Sequence, residues 1–258
     1  ALLFGAQGED CELCRLSQVI FLKSAFEMLA WPHFSTDPAS LLPALMLLFR
    51  QAHPTNWPKA SLIVDVGANV GNFSAEIVQL FTSQNSKVRS LETLVAVEPE
   101  SRNFQQLFAR AEADAWRQQL GFEAFQLAVA DAETARAEMA RGRGQGTTWS
   151  LLEKSQDTEA SDLSLVSVTT LGELLLPHIA KAGGVFLLKV DTEGWDFKVI
   201  QGAAKLFEEQ RVKFLIFEYL AGPSQIPEKL PPALQLRSIL EQLWTWGYAC
   251  FTILPVAL

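Results

Sequence analysis

Residues 61–74 read SLIVDVGANVGNFS, an apolar segment that runs directly into a glycine-containing turn. The run Leu62–Val66 is typical of a central strand of a parallel sheet, which is buried on both faces. Gly67 and Gly71 allow the backbone to turn tightly and to approach a ligand closely. Ligands of open α/β sheets bind at the carboxyl ends of the strands, where the following helix presents free N–H groups. The segment therefore predicts an α/β fold with a cofactor site at the end of this strand.

The glycine spacing in this turn differs from the dinucleotide pattern GxGxxG, whose middle glycine makes room for a pyrophosphate. Asn69 stands at the middle position between Gly67 and Gly71 and leaves less room for a diphosphate. Asp65 near the strand end, together with this polar Asn69, suits a ligand whose near end carries an ammonium and a carboxylate. The methionine part of S-adenosylmethionine is such a ligand. The alternative interpretation is a strand-to-helix turn without any ligand.

Two further apolar runs end in carboxylates. Residues 94–99, LVAVEP, predict a strand ending at Glu98, where a carboxylate accepts both hydroxyls of a ribose; the alternative is a solvated acid. Residues 184–196, GVFLLKVDTEGWD, predict a strand that ends in Asp191 and Glu193 and is followed by a helix. The carboxyl ends of parallel strands meet at one edge of a sheet, so we expect these acids to converge on one cofactor.

Taken together, the motifs DVGANVGNFS, AVEP, KVDTEGWDFKVIQGA and FLIFE resemble the FkbM family of S-adenosylmethionine-dependent methyltransferases. The resemblance runs from about Ser61 to Tyr219. It implies a Rossmann-like class I methyltransferase fold, with a mostly parallel central sheet and helices on both faces. It also implies O-methylation of a hydroxyl group, usually on a sugar or a natural product, so the expected partner is a small-molecule or glycan acceptor.

The resemblance also implies roles for individual residues. Glu98 corresponds to the ribose ligand, and Asp131 corresponds to a residue that contacts the adenine amino group at the exit of the third strand. Asp191 and Glu193 match the acidic pair beside the reactive methyl group and are the catalytic candidates. The full cofactor-binding set is Asp65, Gly67, Asn69, Gly71, Glu98 and Asp131.

Three residues are candidates for binding the acceptor. Trp149 and Ser150 lie in the polar insertion 131–170, where relatives often carry a serine-containing segment that faces the acceptor; disorder is the alternative for this insertion. Trp195 stands where many relatives carry a small residue, which implies a narrower or aromatic-lined pocket. This departure keeps open a second function, in which a cofactor-binding module makes protein contacts without turnover.

The acids near residue 191 have other interpretations. Asp191, Glu193 and Glu218 offer the oxygen ligands that Mg²⁺ prefers, so a magnesium site is an alternative that we do not favour over catalysis. Glu193 alternatively caps the helix that follows it. His178 is the other candidate base, but its place in a predicted surface helix favours a solvated histidine. Holding the two reactants in position lowers the reaction barrier more than proton transfer to a base does. We therefore expect the positioning of the reactants to contribute most to catalysis.

The pattern divides the chain into an N-terminal helical segment, 1–58, and a methyltransferase domain, 59–258. In the first, apolar residues recur at helical spacing from Leu13 to Leu29, and a second helix is predicted from about 38 to 52. The domain alternates strands and helices, which indicates a parallel sheet. The seventh, antiparallel strand common in this fold is expected to be replaced or to come from residues outside the sequence. Strands are predicted near 62–66, 94–98, 122–129, 185–190, 213–219 and 248–254, and helices near 72–82, 101–118, 171–182, 195–208 and 233–246.

Charge and composition exclude some partners. The net charge of −8 and the lack of a basic block disfavour a nucleic-acid partner. The most apolar run, residues 41–49, is shorter than the roughly 20 residues that cross a bilayer, so no transmembrane segment is predicted. Three cysteines without a disulfide framework favour a reducing, cytoplasmic location. A nicotinamide-dependent reductase is a third functional alternative.

Overall fold

The computed structural model describes residues 2–4, 19–24, 62–82, 91–132, 134–141, 149–151, 163–193, 195–219 and 236–252. The strands within them are β1 (Leu2–Phe4), β2 (Val19–Ser24), β3 (Leu62–Val66), β4 (Thr93–Val97), β5 (Gly121–Phe125), β6 (Ala128–Ala130), β7 (Thr134–Arg141), β8 (Trp149–Leu151), β9 (Leu163–Thr170), β10 (Val185–Val190), β11 (Val212–Tyr219) and β12 (Ala249–Thr252). The helices are α1 (Asn72–Thr82), α2 (Ser101–Ala113), α3 (Trp116–Gln119), α4 (Leu171–Ala182), α5 (Asp196–Gly202), α6 (Ala204–Glu208) and α7 (Leu236–Thr245).

Eight of these described strands form one sheet in the order β1-β12-β2-β11-β10-β3-β4-β5. β1 is antiparallel to its neighbours, and the other neighbouring pairs are parallel. Side chains alternate across a strand, so β3 places Ile63 in the core under α1 and α2 and places Leu62 and Val64 in the core under α4 to α7. The predicted mostly parallel sheet with helices on both faces is confirmed.

The strand order reverses direction between β3 and β10. The chain proceeds outward from β3 through β4 to β5 on one side, and β10 and β11 lie on the other side of β3. In open α/β sheets the crevice outside the carboxyl ends of the strands at such a switch point is where ligands bind. The topology therefore places the candidate site at the ends of β3 and β10.

The N-terminal helix predicted from Leu13 to Leu29 is wrong at residues 19–24, because Val19–Ser24 is a strand of the main sheet. β2 is parallel to β11, with Ile20 aligned to Leu215, and is also parallel to β12. The run VIFL is rich in β-branched and aromatic residues, and pairing between two existing strands overrides its helical spacing. β2 thus lies as a parallel strand between β11 and β12 in the main sheet. The division at residue 58 stays a prediction, and the helix expected near 38–52 lies outside the described residues.

The single strand predicted over 122–129 is also wrong. It divides into β5, which belongs to the main sheet, and β6, which belongs to a second sheet in the order β6-β9-β7-β8. The described parts of the insertion 131–170 form three of these strands, whereas the sequence predicted a loop with a β-rich end. β7 pairs with β9 through Thr134 and Val168, a contact across 34 positions that local patterns do not reveal.

The second sheet packs tightly against α5. A Cβ added at Gly202 would lie 2.0 Å from the Ala130 carbonyl oxygen and 3.4 Å from the Asp131 Cα, so the last residue of α5 meets the end of β6 backbone to backbone. Because backbone atoms do not move aside as a flexible side chain does, only glycine fits here. α5 begins at Asp196, so this contact fixes the second sheet relative to the loop after β10.

We predict that Gly202→Ala lowers the free energy of unfolding by about 1–3 kcal/mol, because the new methyl group would overpack against the Ala130 carbonyl. Urea unfolding of the variant and the wild type measures this difference. Gln201→Ala, the neighbouring substitution in α5, is the matched control and is expected to change stability by less than about 0.5 kcal/mol. Equal stability of the two variants would contradict the close packing of α5 on β6.

Candidate functional site

The carboxyl ends of β3, β4 and β10 lie side by side, and acids stand at or just beyond each end. Asp65 of β3 is aligned with Lys189 of β10. The N–H of Asp191, the first residue after β10, donates to the Val66 carbonyl at 3.0 Å. Glu98 directly follows β4, whose last pairs with β3 run to the same edge. The structure therefore brings the predicted acids of three strands to one edge of the sheet, at the switch point.

The turn after β3 has three residues in the left-handed region, with φ of +73° at Gly67, +52° at Asn69 and +84° at Gly71. A Cβ on Gly67 would lie 1.9 Å from the Asp191 carbonyl oxygen, and a Cβ on Gly71 would lie 2.6 Å from Leu107 Cδ1. Gly67 is thus required by a backbone contact as well as by its φ angle, whereas Gly71 is favoured mainly by its φ angle, since the Leu107 side chain can shift. The sequence predicted that these glycines make room for a ligand. In the structure they also make room for the residue after β10 and for α2, and these contacts between distant segments are not apparent from the local sequence.

Lys189 is a buried cation between the ends of β3 and β10. Its Nζ donates a hydrogen bond to the Gly67 carbonyl oxygen at 2.8 Å. It also forms ion pairs with Asp65 Oδ1 at 3.1 Å and with Asp191 Oδ2 at 3.5 Å. Burial by itself would lower the pKa of Lys189, but the two carboxylates outweigh burial and raise this pKa above its ordinary value. Lys189 is therefore charged throughout the physiological range.

Asp65 has no exposed surface, and its two carboxylate oxygens face different partners. Oδ2 accepts a hydrogen bond from the Ser74 hydroxyl at 2.7 Å, and Oδ1 faces the Lys189 ammonium. Ser74 lies on α1, so Asp65 connects β3 to both α1 and β10. We conclude that Asp65 stabilises the turn after β3 through these two contacts.

Glu98 is only 5% exposed and holds the turn from the side of β4. Its Oε2 accepts the Asn69 N–H at 2.7 Å, and its Oε1 accepts the Glu100 N–H at 2.9 Å. Burial raises the pKa of Glu98 to about 7, although both N–H groups and the Lys189 charge oppose the rise. A carboxylate has about four lone-pair sites, so Glu98 retains acceptor capacity for hydroxyl donors.

The helix that follows β10, α5, begins with another buried acid. Asp196 Oδ2 accepts hydrogen bonds from the Thr192 hydroxyl at 3.1 Å and the Thr192 N–H at 3.3 Å. Burial, reinforced by the negative charge of Asp191, raises the pKa of Asp196 to about 7. Glu193 has a φ of +54°, a conformation that costs a residue other than glycine about 1–2 kcal/mol. Strain of this kind is common at functional sites.

The residues that build this site lie within one family domain. Residues 65–248 match the family described as methyltransferase FkbM domain. The chain belongs to the FkbM methyltransferase domain family. Among solved structures, methyltransferase FkbM from Methylobacillus flagellatus KT is similar to it, with 14% identity and a TM-score of 0.40 over 74% of this chain and 47% of that one. The chain thus spans about half the length of that protein, and no curated protein matches it significantly.

Trp195 of this FkbM domain joins the site loop to the second sheet. It packs as a half-buried side chain against a small apolar cluster, and the Lys198 ammonium lies 4.1 Å from the centre of its ring. Its predicted contact with an acceptor stays a prediction. The cluster consists of Ala128, Ala130, Val166 and Val168.

The other predicted binding residues lie in the second sheet or directly follow one of its strands. Asp131 is exposed and follows β6, whereas the third strand of the main sheet ends at Phe125. The expected position at the exit of that strand is therefore wrong, and the adenine contact stays a prediction. Trp149 and Ser150 are in β8, but their side chains lie outside the described part of the structure, as does that of Glu218.

Sequence reasoning missed three residues of the FkbM site: Lys189, Ser74 and Asp196. One signal was available for Lys189, since it is the single charged residue in the buried run Val185–Val190 and its motif also contains Asp191. Its partner Asp65 becomes apparent only from the register of β3 and β10, which no local pattern specifies.

His178 is not the solvated histidine that was predicted. Its side chain is 11% exposed, and its Nε2 lies 3.3 Å from Glu123 Oε2. Its ring packs edge to face on Phe125, with 6.1 Å between the ring centres. Because α4 lies on the main sheet, a residue on its inner side contacts β5.

No three His, Cys, Asp or Glu side chains in the described ranges lie close enough together to hold a metal ion. Likewise, none of the described helices combines the length and the apolar character that crossing a membrane requires.

We predict that Asp196→Asn weakens the pH dependence of stability. A carboxyl group whose pKa is raised from about 4 to about 7 on folding holds its proton more tightly in the folded state, so stability falls as pH rises between those two values. From pH 5 to pH 8 the wild type should lose roughly 2–3 kcal/mol more than the variant. Asparagine still offers Thr192 an acceptor oxygen. Urea unfolding at both pH values measures the difference, and parallel curves for the two proteins would contradict the buried protonated Asp196.

Proposed function

We propose that this chain is an S-adenosylmethionine-dependent methyltransferase that methylates a hydroxyl group of a small-molecule or glycan acceptor. The observation that supports the proposal most is the convergence of Asp65, Glu98 and Asp191 at the switch point of the sheet. Membership of the FkbM methyltransferase domain family supports a methyl group as the group that is transferred. The proposal that the acceptor is a hydroxyl group depends on these carboxylates, because a carboxylate can orient a hydroxyl group by accepting its hydrogen bond.

The residues present fit such a cofactor in charge and in hydrogen-bonding capacity. Lys189 balances only one of the charges of Asp65 and Asp191, so these three groups together carry a net negative charge suited to a cationic ligand. Glu98 has free acceptor sites for the two hydroxyls of a ribose. The turn at Gly67 to Gly71 leads into α1, whose first N–H groups are free of intrahelical partners and suit a carboxylate.

When bound, the cofactor supplies a methyl group on a positively charged sulfur. The side chain of Asp191 is 27% exposed, so it is the acid of the cluster that an acceptor can reach. Its carboxylate would accept a hydrogen bond from the acceptor hydroxyl and hold the oxygen in line. Lys189 Nζ forms an ion pair with Asp191 Oδ2 at 3.5 Å, which helps to hold the carboxylate in place. Asp191 therefore acts mainly by orientation.

The sizes of the two effects favour orientation over proton transfer as the main role of Asp191. Holding two reactants in a near-attack arrangement lowers a barrier by about 7–11 kcal/mol. A positioned general base contributes about 10²–10⁴-fold in rate, which is roughly 3–5 kcal/mol. The hydroxyl proton leaves late in the transfer, when its oxygen has become acidic, and we propose that the partly exposed Asp191 carboxylate takes it up.

We predict that at pH 8, above the raised pKa of Glu98, Glu98→Ala weakens the binding of S-adenosylhomocysteine by about 10–100-fold, because the loss of a charged hydrogen-bond acceptor costs about 1.5–3 kcal/mol. Isothermal titration calorimetry measures this affinity. The control is Glu112→Gln, which alters an exposed acid on α2 and should bind like the wild type. A wild type that binds nicotinamide dinucleotide and not S-adenosylhomocysteine would contradict the proposed function.

We also predict that Asp191→Asn binds S-adenosylhomocysteine within about threefold of the wild type but transfers methyl groups about 10²–10⁴-fold more slowly. Product is measured as S-adenosylhomocysteine released in the presence of a panel of hydroxylated small molecules and sugars. Equal losses of affinity and turnover would show that the roles of Glu98 and Asp191 are not divided in this way. Cofactor binding by the wild type with no product from any acceptor would favour a binding module.

A further inference from the structure

We propose that Lys189 is a positioning residue of this site, which holds the Gly67 turn against the end of β10 without itself touching the ligand. The inference deepens the proposed function and rests on it in one respect, since the turn matters for activity only if it carries the cofactor. Its geometric basis is independent of any ligand.

The ammonium group of Lys189 is enclosed by oxygens of the protein. Lysine has three N–H donors, and three protein oxygens lie within 3.5 Å of its Nζ: Gly67 O, Asp65 Oδ1 and Asp191 Oδ2. The Phe73 ring lies 5.8 Å away on a further side. The side chain is only 6% exposed. Lys189 is therefore enclosed by protein groups, and a bound ligand would meet Asp191 or the turn.

The three oxygens belong to two different strand ends. Asp65 and Gly67 lie at the end of β3 and in its turn, whereas Asp191 follows β10. One cation thus connects the two strands that flank the switch point. Without it, two carboxylates would face each other across the gap and the Gly67 carbonyl would lose its hydrogen bond. The turn and Asp191 would then separate, although both strands would remain paired further down.

A simpler role has to be distinguished from this one. Lys189 could serve only as the counter-ion that makes a buried Asp65 tolerable, in which case its sole effect would be on stability. Removing one member of a buried ion pair is strongly destabilising because the other charge is left uncompensated, whereas removing both members is often tolerated. Replacing both residues therefore separates the counter-ion role from the positioning role.

The experiment compares the wild type, Asp65→Asn, Lys189→Met and the double variant Asp65→Asn/Lys189→Met, all as the full chain. Asparagine at residue 65 keeps an oxygen for the Ser74 hydroxyl. Urea unfolding gives the stability of each protein. Hydrogen exchange followed by mass spectrometry gives the protection of the amides of residues 67–69, with residues 94–97 of β4 as an internal control. Calorimetry gives the affinity for S-adenosylhomocysteine.

Lys189→Met alone should unfold at a much lower urea concentration, and the double variant should regain most of the loss. Relative to Asp65→Asn, the double variant should still exchange the amides of residues 67–69 at least tenfold faster and bind S-adenosylhomocysteine at least tenfold more weakly. The positioning role is overturned if the double variant protects the turn as Asp65→Asn does, or if the β4 amides loosen by the same factor. A wild type that does not bind S-adenosylhomocysteine refutes the proposed function, while hydrogen exchange still decides whether Lys189 holds the turn.

Discussion

A single buried ammonium, that of Lys189, joins the two strand ends on which the site is built. It contacts the carboxylates of Asp65 and Asp191 and the carbonyl of Gly67 within 3.5 Å. A buried charge is tolerated only when it is paired and hydrogen-bonded, so the three groups depend on one another. Because β3 and β10 flank the switch point, this cluster also determines how closely the turn and the loop after β10 approach each other.

The close approach explains several unusual backbone positions nearby. Gly67 has a positive φ and no space for a Cβ, since the Asp191 carbonyl is directly adjacent. Asn69 and Glu193 adopt left-handed conformations without being glycine. Such conformations persist when the surrounding contacts determine the backbone, as the Glu98 carboxylate does for the Asn69 N–H. The result is a rigid edge with its acids held in fixed places, which suits chemistry that depends on orientation.

The sequence predicted the part of the site that local patterns encode. Apolar runs ending in Asp65, Glu98 and Asp191 identified the strand ends, and the rule for open α/β sheets brought those ends together. Contacts that depend on register were not predictable in this way, because the alignment of Asp65 with Lys189 is specified by pairing between distant segments. β2 was misassigned for the same reason: the helical spacing of its apolar residues was a local signal, and sheet pairing overrode it.

The insertion after β6 shows the same limit at a larger scale. Its strands pair across long separations in sequence, so a polar composition was interpreted as a loop. What the structure adds is a second sheet that is fixed to α5 through Gly202 and to the site loop through Trp195. The described part of the insertion is therefore a sheet packed beside the site loop, and not a free loop.

A crystal structure of the chain with S-adenosylhomocysteine would show whether the acids at this edge of the sheet hold the cofactor. We expect the ribose hydroxyls to lie on Glu98, the sulfur to lie beside Asp191, and Lys189 to contact only protein oxygens. A ligand bound elsewhere on the molecule, or one whose carboxylate displaces Asp65 or Asp191 from Lys189, would contradict this expectation.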